Sequence, residues 1–108
     1  MPASAKDRQA PHAIVVGLDC MTGLQTARIM AGHRIPVIGI AKKPRHPCCR
    51  TNVCEQILFA DTADQELIGA LKALSPALEQ KAVLVPCTDM SVLLISRHRR
   101  ELEAQYYV

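Results

Sequence analysis

Residues 13–23 read AIVVGLDCMTG, and this stretch decides the fold class. Its first four residues, 13–16, are an apolar run typical of a buried strand, and the run ends directly at Gly17. A short loop then leads to Thr22 and Gly23, where a helix is predicted to begin. This order aims backbone N–H groups and the positive end of a helix dipole at one point above the strand. We therefore predict a site for an anionic or polar ligand there.

The strand-then-helix order repeats along the rest of the chain. Strands are predicted at residues 13–17, 36–41, 56–60 and 82–86, and helices at residues 23–31, at residues 63–74 and from Asp89 onward. Most strand positions are apolar on both faces, which is typical of parallel strands covered by helices. With right-handed crossovers, the pattern predicts an α/β fold with an open, mainly parallel four-stranded Rossmann-like sheet of order 3-2-1-4, flanked by helices.

Four residues mark predicted helix ends. Thr22 and Thr62 each precede a glutamine by three residues, a spacing typical of an N-cap, and Thr88 is predicted as the N-cap of the third helix. Gly32 is predicted to end the first helix, because glycine readily adopts the left-handed conformation that follows many helices.

The predicted strand order creates a topological switch between strands one and four. Open α/β sheets bind ligands in the crevice at such a point, beside the carboxyl ends of the strands. The loops at residues 17–23 and 86–89 are predicted to converge there, with Lys42, Lys43 and Arg45 at the edge. The candidate substrate- or nucleotide-binding residues are Gly17, Asp19, Thr22, Gly23, Lys42, Arg45, Thr88 and Asp89.

No catalytic residue is predicted, because the sequence contains no Ser-His-Asp order, no carboxylate pair in a pocket context and no P-loop. The glycine loop also lacks the middle glycine of the G-x-G-x-x-G dinucleotide pattern, and Lys42-Lys43 stand where an acidic residue is expected. These differences disfavour NAD. A phosphate of NADP would suit the lysines, so a free-standing nucleotide- or NADP-binding module stays an alternative. A plain strand–helix turn without a ligand is another.

Composition and charge narrow the class of protein. A chain of 108 residues with 49% hydrophobic and 21% charged residues is predicted to form one folded domain. A net charge of +3 is too small to indicate nucleic-acid binding. No apolar stretch reaches the roughly 18 residues that span a bilayer. We predict a cytoplasmic protein without membrane or nucleic-acid partners, with a flexible leader at residues 1–11 and a domain at residues 12–108.

The five cysteines are predicted to be free thiols of a reducing cytoplasm. The spacing of Cys48, Cys49 and Cys54 matches no zinc finger or ribbon, and adjacent cysteines do not easily ligate one tetrahedral ion. We therefore predict no metal site in this chain.

The order of these motifs resembles the amino-terminal domain of ATP-grasp ligases, and in particular the carboxylate–amine ligase-like proteins. The resemblance extends over about residues 13–108. It rests on the glycine-turn strand, the Ala27-Arg28 pair, the strand segment HRIPVIGI at residues 33–40, the loop at residues 44–50, Pro86-Cys87-Thr88-Asp89 and the Arg-rich segment at residues 96–102.

The resemblance implies a pre-ATP-grasp domain, with ATP and magnesium bound by downstream domains of the same chain and no cofactor in this part. The whole enzyme would join a carboxylate to an amine or thiol through an acyl phosphate, and this domain alone would be inactive. It would line the site of a small-molecule carboxylate through Gly17, Thr22 and Gly23. We expect residues 96–108 to be the joint to those domains, with residues 106–108 disordered or covered by a second copy of the chain. A homodimer or dimerisation module is thus a further interpretation.

Overall fold

The structure is a computed structural model, and it describes residues 11–78 and 80–108. The leader predicted at residues 1–11 therefore lies outside the described residues, apart from Pro11. None of the helices in the described part of the chain combines the length and apolar content needed to cross a bilayer.

Strands and helices alternate along the chain, as predicted. In order they are β1 (Ala13–Val16), α1 (Met21–Gly32), β2 (Val37–Ala41), a 3₁₀ turn (Pro47–Arg50), β3 (Gln56–Phe59), α2 (Gln65–Leu74), a second 3₁₀ turn (Ser75–Ala77), β4 (Ala82–Pro86), α3 (Asp89–Arg97), α4 (Arg99–Leu102) and β5 (Tyr106–Tyr107). All strand pairs are parallel, and the sheet order is β3-β2-β1-β4-β5. The α/β class and the order of the first four strands are confirmed, whereas the fifth strand was not predicted.

The sheet is covered on both faces near its centre. Every residue of β1 and β2 is buried. Ile14 and Val16 of β1 belong to a core cluster that α2 and α3 complete with residues such as Leu71 and Leu94. Val15 belongs to the opposite cluster, which α1 and the loop after β2 complete. Successive strand residues point to opposite faces, so apolar side chains on both faces require this two-sided cover.

None of the helices in the described residues covers one part of the sheet. The clusters place Ala82, Leu84 and Tyr106 on the face covered by α2 and α3, so Val83 and Tyr107 point to the face on which α1 packs. Val83 is 38% exposed and Tyr107 is 55% exposed, and they are neighbours in the parallel register of β4 and β5. Within residues 11–78 and 80–108, the α1 face of β4 and β5 is therefore an open apolar surface.

Two of the three predicted N-caps are wrong. Helix α1 begins at Met21, and Cys20 caps it by accepting a hydrogen bond from the Gly23 N–H. Helix α2 begins at Gln65 and is capped by Asp64. Aspartate is among the best N-cap residues, while Thr62 is itself buried. The third N-cap, Thr88, is confirmed and forms a capping box with a serine three residues later.

The predicted helix stop at Gly32 is also wrong. Helix α1 includes Gly32, and the left-handed residue after the helix is Arg34, with a φ of 62°. The Arg34 N–H donates to the Ala31 carbonyl and the Ile35 N–H donates to the Met30 carbonyl, both at 3.0 Å. These two bonds satisfy carbonyl groups at the helix end in the arrangement of the Schellman motif. Arginine thus occupies a position that usually favours glycine.

Replacing Arg34 with glycine is expected to raise the free energy of unfolding by about 1 kcal/mol, because the left-handed backbone conformation is strained for residues with a Cβ. The control is Arg97→Gly in the last turn of α3, where the backbone is helical. There the same substitution should lower the free energy of unfolding by about 0.5–1 kcal/mol. Urea denaturation measures both. A loss of stability in the Arg34 variant would contradict this prediction.

The chain end is ordered, against expectation. Tyr106 is fully buried, and its hydroxyl donates to the Leu71 carbonyl at 2.6 Å. Its backbone pairs with Ala82 in the parallel ladder. The prediction that residues 106–108 are disordered or covered by another copy is therefore wrong for Tyr106, because its ring completes the core beneath α2.

Candidate functional site

The crevice between β1 and β4 is the switch point of the sheet. The chain leaves β1 towards α1 on one face and leaves β4 towards α3 on the other. At the strand ends, the Cys87 N–H donates to the Val16 carbonyl at 2.9 Å. A Cβ on Gly17 would lie only 2.8 Å from the Thr88 side chain. The structure therefore brings together the two loops that the sequence predicts to meet.

Gly17 has a backbone conformation that only glycine adopts without strain. Its φ is +98°, in the region where an L side chain is disfavoured. Its N–H donates to the Ile40 carbonyl at 2.8 Å, and its carbonyl accepts a bond from the Cys20 thiol at 3.1 Å. Both backbone groups of Gly17 are therefore used inside the protein, and its role is to make the turn.

Gly23 allows α1 to pack directly on the turn. A Cβ at this position would lie 2.0 Å from the Gly17 carbonyl oxygen. The Gly23 N–H donates to the Cys20 sulfur at 3.3 Å, and the Leu24 N–H donates to the Cys20 carbonyl at 3.0 Å. Of the first N–H groups of α1, those of Met21 and Thr22 are therefore the ones left to face a ligand.

Asp19 connects the loop after β1 to the loop after β2. Its Oδ2 atom accepts hydrogen bonds from the Lys42 N–H at 3.0 Å and from the Lys43 N–H at 2.9 Å. Lys42 in turn places its ammonium group 3.4 Å from a carboxylate oxygen of Asp61. The Asp61 pKa is lowered, mainly by a hydrogen bond from the Ala63 N–H and further by Lys42.

The hydrogen bonds of Asp19 and the Lys42–Asp61 ion pair disfavour the alternative in which NADP binds beyond β2. A phosphate beyond β2 would need the N–H groups and the cations of Lys42 and Lys43, and Asp19 already holds both N–H groups. The Lys42 ammonium is also paired with Asp61. An added phosphate would have to displace or oppose two carboxylates, which disfavours NADP at this position.

We expect Asp19→Ala to lower the free energy of unfolding by about 1–2 kcal/mol, because two N–H groups lose a charged acceptor. Asp19→Asn keeps an acceptor atom and should cost about half as much. The matched control is Asp89→Asn, since Asp89 is exposed in the first turn of α3 and should change stability by less than about 0.5 kcal/mol. Equal effects at positions 19 and 89 in urea denaturation would refute the bridging role.

The start of α3 forms the second wall of the crevice. The Thr88 hydroxyl accepts a bond from the Ser91 N–H at 3.2 Å, and the Ser91 hydroxyl accepts one from the Thr88 N–H at 3.2 Å. Thr88 is thus committed to the helix cap. The carboxylate of Asp89 is exposed beside it and forms no ion pair among the described residues.

The other predicted cations follow β2. Arg45 and Lys43 are exposed, and neither side chain forms an ion pair within the described part of the chain. They extend from the carboxyl edge of the sheet, the same edge as the crevice, whereas the Lys42 charge is partly neutralised by Asp61.

All five cysteines are free thiols in the structure. Burial raises the pKa of the thiols of Cys49, Cys54 and Cys87, and for Cys87 the proximity of Cys20 adds to the increase. A raised thiol pKa lowers the fraction of reactive thiolate. Within residues 11–78 and 80–108, no group of three or more His, Cys, Asp or Glu side chains is arranged to hold a metal ion.

A cavity that the sequence did not predict lies at the opposite edge of the sheet. It has a volume of about 710 Å³ and lies at the amino ends of β2 and β3, where residues from the ends of α1 and α2 complete it. His12, Arg34 and Glu55 line it. These residues are far apart in the sequence and form no motif, so no local sequence pattern predicts the cavity.

The fold and the crevice define a class: an α/β domain with an open parallel sheet and a switch-point crevice bounded by two helix N-termini. No family model, curated protein or solved structure matches the chain, so comparison with known proteins identifies no relative.

Proposed function

We propose that this chain is the substrate-side, amino-terminal domain of an ATP-dependent ligase of the ATP-grasp type. The observation that carries the proposal is the crevice between β1 and β4, with the start of α1 on one side and the start of α3 on the other. The order of motifs along the sequence, which resembles the pre-ATP-grasp domain, supports it.

In this proposal the complete enzyme transfers a phosphoryl group from ATP to a carboxylate and releases ADP. An amine or thiol then attacks the acyl phosphate, and inorganic phosphate leaves as the new bond forms. The described part of the chain has no carboxylate cluster suited to magnesium and no P-loop. Following the resemblance to the pre-ATP-grasp domain, we assign ATP and magnesium to downstream domains and derive only the substrate contacts from this domain.

The crevice offers groups of opposite character to the two ends of a substrate. The N–H groups of Met21 and Thr22, at the positive end of α1, suit a carboxylate. The exposed carboxylate of Asp89 suits a cationic or amine group. Lys43 and Arg45 add positive charge at this edge and attract anions by long-range electrostatics. The side chains of Met21 and Met90, 62% and 50% exposed, add apolar contact area.

The open apolar surface on β4 and β5 also supports the proposal. Val83 and Tyr107 form a patch, with the Lys81 ammonium 4.9 Å from the centre of the Tyr107 ring. Adjacent exposed apolar side chains of this kind commonly mark a surface that another domain or protein covers. In the complete ligase, this surface would contact a downstream domain.

The test uses the full-length protein encoded by the gene. We expect ADP release to require both a carboxylate and an amine or thiol, measured with a coupled assay against panels of each. ADP release independent of any carboxylate, or no release with a broad panel, would reject the proposal.

A pair of variants at Met21 tests the role of the crevice. Met21→Pro removes one N–H donor at the first position of α1, where proline is well tolerated, and the extended backbone of Cys20 accommodates a following proline. Met21→Ala keeps the N–H and removes only the side chain. We expect the proline variant to raise KM for the carboxylate about tenfold, and the alanine variant to raise it less. Equal KM values would exclude a backbone contact there.

A further inference from the structure

The cavity at the amino edge of the sheet has the size and lining of a small-molecule site. Its volume of about 710 Å³ lies within the range of known ligand pockets. Much of its wall is apolar and comes from four segments of the chain that meet only in the fold; the apolar lining includes Ala31, Ile35, Pro36, Val53, Leu74 and Leu78. Such a wall suits the hydrocarbon part of a ligand.

The charged groups of the cavity differ in their pairing. The His12 Nε2 atom lies 2.8 Å from a carboxylate oxygen of Glu55, so each of these two side chains is the hydrogen-bond partner of the other. Among the charged lining residues that the structure describes, Arg34 is the one whose side chain has no ion-pair partner. Its guanidinium is therefore the group available to an anion.

The backbone conformation of Arg34 is unusual for an arginine, and this observation is independent of the cavity. Its φ of 62° is one that glycine adopts without strain, and glycine is the residue most often found after a helix in this conformation. A strained backbone at the mouth of a cavity is a common feature of functional sites. The arginine side chain contributes no ion pair within the described structure that would offset this strain.

We propose that this cavity binds an amphipathic monocarboxylate, whose carboxylate pairs with Arg34 and whose hydrocarbon part lies against the apolar wall. A guanidinium matches a carboxylate with two parallel hydrogen bonds. A phosphate dianion fits less well, because Glu55 contributes negative charge nearby and one arginine is the sole unpaired cation of the described lining.

This site is separate from the crevice of the proposed function. The crevice lies at the carboxyl ends of the strands and the cavity at their amino ends. Strands of four or five residues separate the two edges by about 13–17 Å. The inference therefore stands whether or not the chain belongs to a ligase.

The probe is octanoate, titrated into the ¹⁵N-labelled chain and followed by amide chemical shifts. We expect saturable shifts at residues around Arg34, His12 and Glu55, and no shifts there with octylamine, which has the same hydrocarbon part and the opposite charge. Shifts confined to other residues, or equal shifts with octylamine, would overturn the proposal.

Variants at Arg34 separate binding from stability. Arg34→Gln should weaken octanoate binding about tenfold or more, and Arg34→Lys should weaken it less. Arg97→Gln, at an exposed position of α3 outside the cavity lining, is the control and should bind octanoate like the original chain. Arg34→Gly should also lose binding while its thermal midpoint does not fall, so that unfolding cannot explain the loss. Unchanged octanoate affinity in the Arg34→Gln variant would refute the assignment.

Discussion

Gly23→Ala is expected to lower the free energy of unfolding by about 3 kcal/mol or more, the range seen when atoms are forced into a packed interior. The new Cβ would lie 2.0 Å from the Gly17 carbonyl oxygen, 2.8 Å from the carbonyl carbon and 2.9 Å from the Leu18 Cα. All three are backbone atoms of a buried turn, so no side-chain rotation can relieve the overlap. Helix α1 would have to move away from β1.

The matched control for Gly23 lies in the same helix. A Cβ added to Gly32 would meet no atom within 4 Å, so Gly32→Ala should stabilise the protein by up to about 1 kcal/mol through helix propensity. Urea denaturation gives both values. Similar free energies of unfolding for the two alanine variants would show that the turn relaxes without cost. Under the proposed ligase function, the Gly23 variant of the full-length protein should also lose activity, because the start of α1 forms one wall of the crevice.

Tyr106→Ala is expected to lower the free energy of unfolding by about 3–5 kcal/mol, as for other large aromatic residues removed from a core. The ring is fully buried in the cluster formed with α2 and α3, although it lies only two residues from the end of the chain. Tyr107→Ala is the control, because Tyr107 is 55% exposed and its loss should change stability by less than about 1 kcal/mol. Equal effects at the two tyrosines would mean that β5 does not contribute to the core.

The hydroxyl of Tyr106 adds a dependence on pH. Burial raises its pKa from 10.0 to about 12, so the folded state favours the neutral phenol. This contribution to stability is complete below pH 10 and is lost as the pH rises from 10 towards 12. Tyr106→Phe removes the ionisable group, and the difference in unfolding free energy between the two proteins should therefore shrink or reverse over this range. A constant difference between pH 9 and pH 12 would contradict the assigned pKa.

Local patterns predicted the elements whose own residues carry the signal. β1, β2 and β4 were found because runs such as AIVV are apolar on both faces, and the order of the first four strands followed from right-handed crossovers. The meeting of Gly17 with Thr88 followed from that order. The N-cap of α3 was found because threonine and aspartate are common at helix starts, and the structure adds a capping box between Thr88 and Ser91.

Features that depend on distant residues were not predicted. β5 has only two residues, and it is a strand because β4 offers an open edge and because Tyr106 fits under α2. The sequence also did not predict that the carboxylate of Asp19, a candidate ligand contact, accepts hydrogen bonds from two N–H groups 23 and 24 residues further along the chain.

The amino-acid sequence by itself determined the α/β class, the central strands and the switch point, because periodicity and crossover handedness are properties of short segments. The tertiary structure alone decided how Asp19 is used, why Gly23 cannot carry a side chain, and where the cavity at Arg34 lies. Each of these depends on atoms from segments far apart in the chain, whose positions are set only when helices and sheet pack together.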